Sequence, residues 1–111
     1  MSDKKTKSPK SQQVYTLLVQ IGRKDGDGLP DKATGAALMV YASGVDEEEA
    51  VRETVAVLKT AETAPLDVTG YGTLAEREAE GHDISDEERA LMQRARDENA
   101  VIVAQVTPFF D

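Results

Sequence analysis

The sequence predicts an α+β fold: a two-layer sandwich of a four-stranded sheet with two helices on one face, in the order ββαβαβ. Two observations carry that expectation, and a chirality rule completes it. Four short stretches are rich in β-branched and aliphatic residues, and most of them alternate with the period of a strand. Two longer stretches carry helix-start signals and apolar residues at helical spacing. Crossovers between strands of one sheet are right-handed, which predicts both helices on the same side.

The first strand is expected over 14–21, where Tyr15, Leu17, Val19 and Ile21 share one face and Val14, Thr16, Leu18 and Gln20 the other. A second follows at 36–43, apolar on both faces. Between them lie 14 residues, 22–35, dense in Gly, Asp and Pro and without periodicity, the composition of a long functional or mobile loop. The first helix starts at Asp46, an N-cap residue with Glu49 three positions on, and acidic residues 46–49 complement the positive end of its dipole. Ala50, Val51, Thr54, Val55, Val57, Leu58 and Ala61 form its inner face, and Pro65 bars it from extending further. Residues 66–71 alternate as a half-buried third strand. Residues 73–82 read equally as a frayed helical turn and as an arm. Ser85 and Glu88 form a capping box for the second helix, whose narrow apolar face is Leu91, Met92 and Ala95, with Asn99 suited to a left-handed end. The last strand is expected over 101–106, with Pro108 as its stop.

The chain has 111 residues, enough for one domain with a core of its own. Without cysteine, disulfide frameworks, thiol nucleophiles and thiolate metal sites are excluded. No apolar run approaches the roughly 18–20 residues of a membrane span, and residues 1–13 contain no signal-peptide h-region. A soluble, cytoplasmic protein without membrane partners is expected. The net charge of -8 divides into a basic tail and an acidic body. Lys4, Lys5, Lys7 and Lys10 stand against Asp3 in residues 1–11, while the remainder carries 9 basic and 20 acidic residues. Residues 1–13 are expected to be a disordered tail, and 14–111 the single domain. The acidic body disfavours nucleic acid as the main partner.

In general layout this arrangement is similar to ferredoxin-like folds, although its element order departs from βαββαβ. A two-layer sheet of this kind leaves its second face open. With Thr16 and Leu18 on the first strand and Val101 and Val103 on the last assigned to that face, sheet-to-sheet pairing in a homodimer is the expectation. The alternative cover is the 73–82 segment or the tail.

Three constellations bear on chemistry. Asp25, Asp27 and Asp31 are the only cation-like cluster, but an EF-hand loop starting at Asp25 finds Leu29, Pro30 and Ala36 where ligands and the invariant glycine belong. A solvated turn is therefore the leading reading, with no metal and no cofactor expected. Gly70 and Gly72 bracket Tyr71 near a strand end, the pattern of a bulge. Tyr71 and Thr73 are then candidate ligand anchors. His82 stands among Glu78, Glu80 and Asp83 and is the only imidazole, too few for a histidine-built metal site within one chain. No phosphate-loop, dinucleotide, nucleophile-elbow or zincin motif occurs. A non-catalytic homodimeric interaction or ligand-binding module is the resulting expectation. Behind it stand a small dimeric enzyme using Tyr71 and His82, and an acidic immunity-type inhibitor of a basic partner.

Overall fold

The computed structural model describes residues 12–110. The expected tail therefore lies almost wholly outside the described residues. Four antiparallel strands, β1 (Gln13–Gly22), β2 (Gly35–Gly44), β3 (Ala64–Thr73) and β4 (Val101–Phe109), form one sheet in the order β3-β1-β2-β4. Three helices connect them: α1 (Glu47–Thr60) between β2 and β3, then α2 (Leu74–Ala79) and α3 (Asp86–Glu98) between β3 and β4. An α+β fold is present, but the element order is ββαβααβ.

Each helix starts where its cap dictates. The Asp46 carboxylate accepts the Glu49 N–H at 2.8 Å, while Glu49 Oε1 reaches past the cap to the Val45 N–H at 3.0 Å. Ser85 and Glu88 make the full reciprocal box at the start of α3, and Asn99 ends that helix in the left-handed region. Thr73 and Glu76 make a second reciprocal box, which turns the ambiguous 73–82 stretch into α2.

The helices do not share a face, which corrects the two-layer expectation. On one side, α1 buries Ala50 and Leu58 against Leu17, Val19, Ile21, Leu38, Val40 and Ala42. On the opposite side, Met92 and Ala95 of α3 and Ile84 before it pack on Tyr41, with Val14, Met39, Leu74, Leu91 and Ile102 around them. The register explains the division: Leu17 pairs Val40 and Val19 pairs Leu38, whereas Thr16 pairs Tyr41 and Leu18 pairs Met39. Alternate residues of a strand face opposite ways, so each set needs its own cover. Right-handed crossover places α1 over the β2–β3 connection, but β3 and β4 run antiparallel at opposite edges. That rule therefore puts no constraint on α2 and α3.

Bulges shape both edge strands. The β1–β3 register shifts between Thr16 and Leu17 and again between Gln20 and Ile21, leaving Tyr71 and Leu66 unpaired. A third shift, between Met39 and Val40, leaves Ala104 unpaired in β4. Consequently Val101, Val103 and Val106 all align with the α1-facing set Ala42, Val40 and Leu38. Thr16 and Leu18 lie on the other face. The four residues expected to make one interface are split between two sides of the sheet.

Candidate functional site

A buried polar arrangement lies between the sheet and the α2–α3 layer. Tyr41, 2% exposed, is pinned below α3 by β2, and its hydroxyl donates to Glu88 Oε2 at 2.7 Å. Arg77 of α2 reaches in from the side: Nη1 donates to Thr16 Oγ1 at 3.1 Å and lies 3.6 Å from Glu88 Oε2. Its Nε donates to His82 Nδ1 at 3.1 Å. Thr16 is itself 1% exposed, so a residue assigned to an open face is sealed beneath α2. Sequence reasoning missed Arg77, Tyr41 and Glu88 as a group. The legible signal was the Thr73/Glu76 box, because a helix starting there sends Arg77 back toward the sheet.

Electrostatics give this network a structural character. Burial, then the bond to Glu88, pushes the Tyr41 hydroxyl up to about 12. The same bond, aided by the Ser85 N–H and Arg77, holds the Glu88 carboxyl below its ordinary range against a burial penalty. A general acid or base works best with its pKa near the operating pH. These two groups are driven away from neutrality in opposite directions, which fixes them as a donor–acceptor latch.

The other sequence candidates have contacts of their own. Tyr71 is 40% exposed on its bulge. The Thr73 hydroxyl accepts the Glu76 N–H at 3.2 Å and is engaged as a cap. His82 Nε2 lies 3.7 Å from Glu80 Oε1, beyond hydrogen-bond length.

In the β1–β2 loop, Arg23 acts as a clip. It bonds both oxygens of Asp27, at 3.0 and 3.3 Å, and the carbonyls of Pro30 and Ala33. Asp27 also accepts the Lys24 and Leu29 N–H groups, at 2.9 and 3.0 Å. Its carboxylate is thereby engaged with the loop's own donors, and among the described residues no group of three His, Asp or Glu side chains is gathered to hold a metal ion. The Arg23 bond, then those from Leu29 and Lys24, lowers the Asp27 pKa to about 2. A depressed carboxylate stabilises the folded loop above its unfolded pKa and loses that contribution on acidification. Loop order is therefore expected to fade between about pH 4 and pH 2. The Lys24 and Leu29 amide shifts should titrate together with a midpoint near 2, and Asp27→Asn should abolish the titration.

Two surface features remain. Between α1 and the start of β4 lies a cleft of about 500 Å³, walled by Glu49, Glu53, Val57, Ser43, Asn99 and Val101. On β4, Val103, Val106 and Phe109 are each more than 40% exposed, and Phe110 beyond it is 58% exposed. Over residues 14–110 the chain matches the model of DUF8846, a domain of unknown function. The chain belongs to that family. No curated protein and no solved structure matches it. Among the described residues of this DUF8846 domain, no helix is long and apolar enough to cross a membrane.

Proposed function

We propose that this DUF8846 domain is a non-catalytic interaction module that works as a homodimer, joined through the free edge of β4. The free edge strand itself carries the reading. Over its nine residues, VIVAQVTPF, β4 has no charged side chain, and it stands at the end of the sheet with no strand paired to its outer edge among the described residues. Edge strands are ordinarily protected by charge, proline or bulges. The opposite edge, β3, has that protection in Pro65, Asp67 and two bulges. On β4 the bulge at Ala104 and Pro108 near its end are weak guards for exposed Val103 and Val106. Pairing two β4 strands about a two-fold axis would extend the antiparallel sheet and bury those valines against their own copies. A chain of net charge -8 repels its like over most of its surface, and a neutral strip is where a second copy can approach.

Sedimentation velocity at low micromolar concentration should give twice the 12.0 kDa chain mass. Val106→Lys, exposed in the monomer, should give a monomer with an unchanged far-ultraviolet spectrum. A wild-type monomer at that concentration, or a Val106→Lys dimer, would count against the reading.

A further inference from the structure

We infer that the hollow where α2, α3 and the first residues of β1 meet binds a small carboxylate with an apolar body. The cavity measures about 240 Å³. Pockets for drug-sized ligands run to roughly 300–1,000 Å³, so the occupant here is small. Its apolar lining continues the α3-side core: Met92 is buried, with Val14 and Leu74 half-buried beside it. Its charged lining is Glu78, Arg89 and Arg96, two cations against one carboxylate in a chain of net charge -8. The α1–β4 cleft, by contrast, is lined by Glu49 and Glu53 without any cation.

The two cations are not equivalent. Helical spacing puts Arg89, Met92, Gln93 and Arg96 along one flank of α3. Arg89 is committed to Glu78 across the gap between α2 and α3, and Gln93 donates to Asp97 at 2.8 Å. Of the six arginines, Arg23, Arg52, Arg77, Arg89 and Arg94 each pair with a carboxylate. Arg96 pairs with none among the described residues, although the body around it is acidic. A cation in the last turn of a helix complements the dipole, and this one also borders an apolar hollow. A carboxylate can take its guanidinium in the bidentate geometry that arginine favours, with the ligand body over Met92, Leu74 and Val14. One uncommitted cation suits one negative charge, and Glu78 repels a second. The apolar surface covered adds the affinity that an exposed ion pair lacks by itself. No lining residue belongs to β4, so this site goes beyond pairing through that edge and does not depend on it.

Titration of the full chain with sodium hexanoate at constant ionic strength, followed by amide chemical shifts, tests this. Leu74, Ala75, Gln93 and Arg96 should shift together and saturate on one isotherm. Butyrate, with a shorter apolar body, should bind at least about threefold more weakly than hexanoate. Hexanol, which lacks the charge, should also bind at least about threefold more weakly. Arg96→Gln, exposed on α3, should lower hexanoate affinity at least about fivefold with the fold retained. Arg94→Gln removes the same charge outside the cavity and should leave the affinity within about twofold. Val106→Lys should bind hexanoate as the wild type does, whatever its state of association. Shifts centred elsewhere, a failure to saturate, hexanol matching hexanoate, or equal losses at Arg94 and Arg96 would each overturn the inference.

Discussion

Arg77→Met is expected to lower the free energy of unfolding by about 2–3 kcal/mol, although the substitution keeps most of the side chain's length. The Arg77 side chain is only 11% exposed, and its guanidinium serves Thr16, Glu88 and His82 together. Its removal leaves the Thr16 hydroxyl without that donor in a 1% exposed site and the Glu88 carboxylate without its cation. Breaking a fully buried pair costs about 3–5 kcal/mol. Glu88 is 30% exposed at its side chain, so water offsets part of that loss. Tyr41→Phe should cost less, about 1–2 kcal/mol, since packing is retained and only the bond to Glu88 goes. Both substitutions act on Glu88 Oε2, so the double variant should fall short of the sum by at least about 0.5 kcal/mol. Urea unfolding followed by far-ultraviolet circular dichroism measures all three. Additive effects would mean that Arg77 and Tyr41 hold α3 independently.

The same network sets a response to alkali. A tyrosine whose pKa is raised on folding stabilises the folded state fully below its unfolded value, near 10, and that contribution is lost as pH climbs toward 12. Wild-type stability should therefore fall across that window, and Tyr41→Phe should flatten the decline.

Much of the local structure was legible because its causes are local. Asp46, Ser85 and Asn99 act through hydrogen bonds within a few residues, and all three occupy the expected helix ends. The Gly70–Tyr71–Gly72 signature likewise marks a bulge that the strand register contains. What escaped depends on which distant surface covers which face. β1 and β2 are apolar on both sides, so their periodicity is equally consistent with a helix layer and with a second copy. Only the positions of Leu91, Met92 and Ala95 above Tyr41 and Met39 decide between them. The bulge at Ala104 was invisible for a related reason. It resets the alternation of β4, so Val106 aligns with Val101 and Val103 where strict period-two counting opposes it. In the site, the Thr73 hydroxyl by itself suits a ligand anchor. Paired with Glu76, it is a helix cap.

Gly35→Ala and Gly44→Ala should each cost about 3 kcal/mol, whereas Gly70→Ala should be nearly neutral. A methyl group on Gly35 would lie 2.5 Å from the Ile21 carbonyl oxygen on the paired strand. On Gly44 it would lie 2.8 Å from both the Ala50 nitrogen and the Asp46 oxygen, in the first turn of α1. Every one of those obstacles is backbone. Relief requires prising β1 from β2 in the first case and lifting the capped end of α1 in the second, which disturbs Ala50 in the core. At Gly70 the new methyl would overlap the Glu47 carboxylate even more closely. That obstacle is the far end of an exposed side chain, which can rotate into water without moving the helix. Ranking by proximity alone would therefore place Gly70→Ala as the most damaging of the three. Ranking by what must move places it last. Denaturation midpoints of the three variants, with unchanged slopes, decide between these rankings. A loss at Gly70 as large as at Gly44 would mean that Glu47 is held in place by more than its own rotamer.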